Sequence, residues 1–222
     1  MIIDHLIKKI RQKLPQIYDV KNNKKKKKDK SIVTKSDKMI QNIITSELKK
    51  KLSNKFYMIS EEKKNRNISY YSKFKYIITV DPIDGTENFY AGLPEWGISI
   101  SIYKNENHFE SCIFLPSIGK ILKTNNKIKR NNSRIKSFSS TVEFSKIKRK
   151  DEFRLFGCCV YSIYHVINGS LKDYRSEKAN SWDILAGANL AIENGLNVKV
   201  DNKKYYGKFL HPRKKYKIQI SN

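Results

Sequence analysis

Apolar residues at Ile3, Leu6, Ile7, Ile10, Leu14 and Ile17 recur in steps of three and four. That spacing predicts an amphipathic helix over residues 1–18, bent or ended near Pro15. Met39, Ile40, Ile43, Ile44, Leu48 and Leu52 repeat the pattern, predicting a second helix with Ser36 as its cap and Asp37 in its first turn. Shorter runs read as strands: Phe56 to Ile59, which delivers Ser60-Glu61-Glu62, and the β-branched Tyr76 to Val80, which runs straight into Asp81-Pro82. Trp96 to Tyr103 alternates in period two with Ile98, Ile100 and Ile102 on one face. Cys112 to Leu115 and Ile118 to Leu122 predict further strands broken by Pro116.

Past that point the pattern weakens. Residues 123–150 are rich in Lys, Arg, Asn and Ser and read as a loop or edge-strand region. Phe153 to Cys159 predicts a strand and Tyr161 to Ile167 a short helix closed by Gly169. Trp182 to Glu193 predicts a helix capped by Ser181 and stopped by Asn194-Gly195. No internal repeat is visible. Helices and strands mix throughout, which is an α+β or layered α/β pattern. A chain of 222 residues, 39% hydrophobic, can bury a substantial core, here one domain over 1–222 with an N-terminal lobe of about 1–125 and a shortened C-terminal lobe of about 150–222.

Charge changes this picture less than its size suggests. The formal charge is +25, from 46 basic and 21 acidic residues. The excess is almost all Lys, in company with abundant Asn and Ile, and is scattered rather than gathered in a stripe. We read it as adenine- and thymine-rich coding, so contact with nucleic acid is expected only non-specifically. Lys24 to Lys28 is expected as a solvated loop. Three cysteines, Cys112, Cys158 and Cys159, form no disulfide framework and point to a reducing compartment. With no signal peptide visible and no run of about 20 apolar residues, the expected location is the cytoplasm, away from membranes.

The candidate chemistry lies at the ends of predicted elements. Asp81-Pro82-Ile83-Asp84-Gly85-Thr86 is a compact turn able to aim two carboxylates and the Ile83 carbonyl at one spot, with the following N–H groups facing a phosphate. Taken singly, Asp-Pro and Asp-Gly are ordinary turn dipeptides, Glu61-Glu62 is a solvated pair, and Asp183 is a first-turn residue favoured by the helix dipole. Cys158-Cys159 and the histidines His5, His108, His165 and His211 sit in no nucleophile motif.

The combination is more specific. Asp81 to Thr86, preceded by a β-run and Ser60-Glu61-Glu62, followed by Ser181-Trp182-Asp183-Ile184-Leu185-Ala186-Gly187, resembles the inositol monophosphatase family of lithium-sensitive, magnesium-dependent phosphatases. Val33-Thr34-Lys35-Ser36-Asp37 resembles the family's motif before its second helix. The resemblance spans roughly residues 30–200 and implies a layered α/β/α/β sugar-phosphatase-like fold with mixed sheets. It also implies hydrolysis of a small phosphate monoester by metal-activated water. Glu61, Asp81 and the Ile83 carbonyl would hold one Mg²⁺; Asp81, Asp84 and Asp183 a second; Glu61 with waters would take a third. Thr86, oriented by Asp37, would position and help deprotonate the attacking water. Gly85 and Thr86 would bind phosphate through N–H groups, with Asp84 and Asp183 also at the substrate. A homodimer is a further expectation from the family.

Two features depart from the family's pattern. The interval from Asp84 to Asp183 is short, and Gly195-Leu196 replaces a usual Gly-Gly ahead of an abbreviated C-terminal segment. Substrate signals conflict: Ser60-Glu61-Glu62 resembles the 3′(2′),5′-bisphosphate nucleotidase branch, whereas Thr86-Glu87-Asn88-Phe89 is similar to the inositol monophosphatase branch. Tyr174-Arg175 and Lys178 are candidate contacts for a distal phosphate. The rival reading is a non-catalytic, RNA-associated relic of the fold, motivated by charge and the shortened second half.

Overall fold

The computed structural model describes residues 1–26, 31–62, 73–143, 145, 147, 150 and 152–221. Helix α1 covers Ile2–Asp19 and continues through Pro15 rather than ending there. A proline removes only its own donor, and the turn beyond it is held because Ile17 is fully buried and its carbonyl accepts from Ser36 Oγ at 2.6 Å. The free N–H groups of Ile2 and Ile3 donate to the Glu110 carboxylate at 3.2 and 2.9 Å.

Strand β1, Lys24–Lys26, pairs antiparallel with β2, Ile32–Thr34. This corrects the expected loop: the lysine side chains stay solvated while their backbone completes a ladder against buried β2. Lys27 and Lys28 lie outside the described residues. Helix α2, Lys35–Leu52, starts at Thr34 and not at Ser36. Thr34 and Asp37 form a reciprocal capping box, and Ser36 turns instead to Ile17.

A five-stranded sheet follows in the order β3-β4-β5-β6-β7, with β3 Phe56–Ser60, β4 Tyr76–Asp84, β5 Gly97–Lys104, β6 Asn107–Leu115 and β7 Lys120–Lys123. Only the β3–β4 pair is parallel. Short helix α3, Thr86–Ala91, joins β4 to β5. Ile98, Ile100 and Ile102 of β5 pack into one cluster with α1 and α2. The intervening Ser99, Ser101 and Tyr103 are also buried, so the period-two pattern separates two buried faces rather than core from solvent. Asn189 donates to Ser101 Oγ and Tyr103 Oη at 3.2 and 2.9 Å, which explains the tolerance for polar groups there.

The second half builds β8 Lys136–Phe138, β9 Phe153–Arg154, α4 Cys159–Ile167, β10 Asp173–Ala179, α5 Ser181–Glu193, β11 Asn197–Val200, β12 Lys203–Lys204 and β13 Tyr216–Ser221. The strand expected over Phe153–Cys159 is only two residues long. Gly157 turns the chain at φ +67°, and α4, capped by Cys158, begins at Cys159, two residues before the expected start. These strands form a six-stranded sheet in the order β12-β11-β13-β10-β8-β9. A second core cluster joins α4 and α5 to residues from both sheets, including Tyr103, Ile113, Val198 and Ile218. The layers are therefore helix pair α1/α2, five-stranded sheet, helix pair α4/α5 and six-stranded sheet, the α/β/α/β arrangement expected.

Candidate active site

The end of β4 carries the chemistry. Between Asp81 and Asp84 the β4–β5 register shifts, so Pro82 and Ile83 form an irregularity where a missing proline donor does not matter. Gly85 then takes φ +81°, and a Cβ there would lie 2.9 Å from the Glu95 carbonyl oxygen and 3.0 Å from Cys158 Cβ. Only glycine fits both the backbone and the space. Helix α3 is fixed beneath this turn by Phe89 against Trp96, ring centroids 4.6 Å apart, and by Asn88 Nδ2 donating to the carbonyls of Glu95 and Phe156 at 2.7 and 2.6 Å.

One cavity of about 270 Å³ is lined by Glu61, Asp81, Ile83, Asp84, Gly85, Thr86 and Asp183, from β3's end, β4, α3 and α5. Asp37 stands behind Thr86: the Thr86 hydroxyl lies 2.8 Å from the Ile83 carbonyl oxygen and 3.3 Å from Asp37 Oδ1. The predicted residues thus gather around one opening. Tyr174 and Lys178 line an adjoining cavity of about 140 Å³ that shares Asp84 and Asp183. Arg175 does not join them; strand alternation turns it to solvent, where it lies 3.6 Å from Asp173 Oδ1.

Each aspartate divides its two oxygens in the same manner. Asp37 Oδ2 accepts from Thr34 N–H at 2.7 Å and Thr34 Oγ1–H at 2.6 Å, leaving Oδ1 toward Thr86. Asp81 Oδ1 accepts from Ile83 N–H at 3.1 Å. Asp84 Oδ2 accepts from Val160 N–H at 2.6 Å and lies 3.4 Å from Cys158 Sγ. Asp183 Oδ2 accepts from the main-chain N–H of Asn180 at 2.9 Å and its Nδ2–H at 3.0 Å. Among the described residues, the second oxygens of Asp81 and Asp183 have no hydrogen-bond partner, while the Asp84 carboxylate is approached also by the Cys159 main-chain N–H. Among the described residues, no three His, Cys, Asp or Glu side chains are grouped closely enough to hold a metal ion as they stand.

Their protonation reflects crowding. Burial, then the charges of Glu61, Asp84 and Asp183, push Asp81 well above the usual carboxylate range. Burial raises Asp84 to about 6 against the pull of the Val160 N–H. Burial and the Asp84 charge raise Asp183 to about 7. Asp37 is raised by burial despite its bonds to Thr34. No Lys or Arg lines the 270 Å³ cavity among the described residues to relieve these groups.

The family model of the inositol monophosphatase family matches residues 2–141, more than half of the chain. The chain belongs to that family. This inositol monophosphatase-family chain is accordingly a phosphoric monoester hydrolase. A Thermotoga maritima protein named fructose-1,6-bisphosphatase/inositol-1-monophosphatase is 26% identical over 196 residues, 79% of this chain and 74% of its own length. Among solved structures, Thermotoga maritima IMPase superposes with a TM-score of 0.78 at 23% identity, over 99% of this chain and 92% of its own. Staphylococcal inositol monophosphatase-1, in a lithium chloride-soaked inhibitory complex, gives 0.84 at 22%, over 99% and 88%. An IMPase/NADP phosphatase complexed with Mg²⁺ and phosphate gives 0.83 at 21%, over 99% and 88%. These structural likenesses are of fold.

The family match ends before Asp183, so the structure, not the match, is what brings that aspartate to the cavity. Thr34, Asn180, Cys158 and Val160 act as tethers that the sequence reading does not include. For two of them the signal was present: Thr34 and Asn180 each stand three residues before an aspartate, the spacing of a capping box. Asn180, not Ser181, is the cap of α5. No local spacing announces Val160, whose N–H reaches Asp84 across 76 residues.

Proposed function

We propose that the chain is a Mg²⁺-dependent phosphatase of a small phosphorylated metabolite, hydrolysing the monoester by water attack. The observation that carries this is the gathering of Glu61, Asp81, Asp84, Thr86 and Asp183 around one cavity, with one oxygen each of Asp81 and Asp183 left unpartnered among the described residues. A hard-oxygen donor set suits Mg²⁺, which keeps several waters and takes few carboxylates. Glu61, Asp81 and the Ile83 carbonyl would hold one ion, Asp81, Asp84 and Asp183 another, and Glu61 with waters a third. When bound, such ions acidify water and neutralise charge on the attacking and leaving oxygens.

The chain's own groups do the rest. Thr86 Oγ donates to the Ile83 carbonyl, with Asp37 Oδ1 as the alternative acceptor. It can pass its proton toward Asp37 while accepting one from the nucleophilic water. Asp37 is held for this by two Thr34 donors, so the carboxylate cannot swing away. The N–H groups of Gly85 and Thr86, in a first helical turn with no intrahelical acceptor, would bind phosphate oxygens.

The adjoining cavity favours a compact, hydroxyl-bearing leaving alcohol of the inositol-phosphate type. Ser139, Thr141 and Ser176 line it with mutually bonded hydroxyls, Ser139 Oγ lying 2.5 Å from Thr141 Oγ1 and 3.0 Å from Ser176 Oγ. Lys178 on the same wall supports a second reading, a bisphosphorylated substrate such as a 3′(2′),5′-bisphosphate nucleotide. The test is phosphate release from inositol 1-phosphate and adenosine 3′,5′-bisphosphate with Mg²⁺, with and without Li⁺, in wild type and Lys178→Ala. Inositol-type activity untouched by Lys178→Ala supports the first reading; bisphosphate turnover lost in that variant supports the second. Inactivity on a broad monoester panel with folded protein and Mg²⁺ refutes both. RNA binding that persists at physiological salt in a chain that binds no Mg²⁺ would instead establish the relic.

A further inference from the structure

We propose that Cys158 is a positioning residue for Asp84, fixing which of its carboxylate oxygens is presented to the cation; this rests on the Mg²⁺-dependent reading above. Asp37, Asp81 and Asp183 are tethered by donors two or three residues away. Asp84 is tethered across 74 and 76 residues, by Cys158 and Val160 at the start of α4. Its orientation therefore depends on how the second half of the chain docks.

Cys158 is buried, at 4% exposure, and its sulfur makes three close contacts. The Tyr161 N–H donates to Sγ at 3.4 Å, which occupies a sulfur lone pair. The single S–H is left to donate to Asp84, whose main-chain oxygen and Oδ2 both lie 3.4 Å from Sγ. Val160 N–H reaches the same Oδ2 at 2.6 Å. The Val160 N–H on Oδ2, the S–H within reach of that same oxygen and the Cys159 main-chain N–H as a further donor to the carboxylate together restrain its rotation.

The two segments are in close contact. A Cβ on Gly85 would lie 3.0 Å from Cys158 Cβ, so the motif backbone rests directly on this cysteine. Gly157, at φ +67°, sets the turn that delivers it. The thiol is a weak donor, but partners behind a ligating carboxylate commonly tune metal affinity when they are the groups that fix its orientation.

Cys158 also caps α4, and a purely structural role must be separated from positioning. Mg²⁺ titrations of the full chain, read by thermal shift and by calorimetry, would compare wild type with Cys158→Ser, Cys158→Ala and Cys158→Val. Serine keeps a donor and a capping acceptor; alanine and valine keep neither. The expected result is a Mg²⁺ midpoint raised about tenfold in the alanine and valine variants and within about threefold of wild type in the serine variant. A structural role alone lowers the melting temperature in EDTA without moving that midpoint, and this outcome overturns the proposal. Should the alanine variant not fold, the serine–valine pair carries the same comparison. If wild type itself shows neither a Mg²⁺ response nor phosphate release, the metal-dependent reading falls. A normal wild-type response with unchanged variant midpoints defeats the positioning role alone.

Discussion

Replacing Asp84 by Asn should make the metal-free protein more stable while abolishing its response to Mg²⁺. Asp84 rises from 3.8 to about 6 on folding because burial and Glu61 disfavour its charge. A group raised in this way stabilises the fold when protonated and loses that contribution as pH climbs from 3.8 through 6. Fully ionised, it costs about 3 kcal/mol; solvent at the partly open side chain reduces this to about 1.5 kcal/mol. Asparagine keeps an oxygen for the Val160 N–H, so that 2.6 Å bond survives. In EDTA at pH 8, Asp84→Asn should therefore melt about 3–6 °C above wild type. The gain should fall to about half at pH 5, where the wild-type carboxyl is mostly protonated. Adding Mg²⁺ at pH 8 should raise the wild-type melting temperature and leave the variant unmoved. Phosphate release should fall at least about a thousandfold, since several kcal/mol of charge stabilisation are lost. A variant less stable than wild type in EDTA at pH 8, or equally stabilised by Mg²⁺, would refute the reasoning.

Asp183, raised to about 7, extends the same logic to wild type: without metal the melting temperature should decline between pH 5 and pH 8, and Mg²⁺ should reverse the decline. Mg²⁺ binding near pH 6.5 should release protons from Asp84 and Asp183, seen as a calorimetric enthalpy that varies with the buffer's ionisation heat. Gly85→Ala places a Cβ 2.9 Å from the Glu95 carbonyl oxygen at φ +81°; denaturant unfolding should show a loss of about 1–3 kcal/mol, and kcat/KM should fall. Thr34→Val removes the 2.6 Å hydroxyl bond to Asp37 Oδ2 and the α2 cap. It should cost about 1–2 kcal/mol and lower kcat with the Mg²⁺ midpoint unchanged, because Asp37 serves Thr86 rather than an ion.

The parts legible in sequence were those whose physics is local. The periodicity of Ile40, Ile44 and Leu48 and the β-run into Asp81 place the motif, because spacing alone decides which side chains a helix or strand buries. The caps were misplaced by one or two residues because Ser36 and Ser181 are both plausible caps by residue type. Only the reciprocal bonds of Thr34 with Asp37 and Asn180 with Asp183 decide between them. Strands β10 to β13 lie outside the elements expected, although Val198 with Val200 and Tyr216, Ile218 and Ile220 alternate and are buried; β10 carries only Tyr174 and Ala179 as apolar residues and gains its place by pairing with β13. The convergence of Asp183 with Asp84 was legible only as a family resemblance. Nothing in a separation of 99 positions brings two carboxylates to one cavity except the packing of α5 between the two sheets.

The oxygen tethers also separate the carboxylates set by local structure from the one set by distant packing. Asp37, Asp81 and Asp183 carry their donors within two or three residues, so any backbone that forms the local element forms the tether. None of these donors falls in the weakly patterned stretch 123–150. Asp84 instead is held from a distant element, α4, whose anchorage is the cluster of Val160, Ile163 and Ile167 with Leu185 and Ala188 of α5. Loosening it would swing one carboxylate and leave the other three set, so metal affinity should respond to core substitutions at the α4–α5 contact before the global fold does. At Gly187 a Cβ would meet Ile163 at 2.7 Å, so Gly187→Ala pushes α4 from α5 without touching the cavity. Its expected signature is a Mg²⁺ midpoint raised severalfold at 25 °C, where the far-ultraviolet circular dichroism still shows the fold intact. An unchanged midpoint in that folded variant would mean that α4 does not set the Asp84 carboxylate.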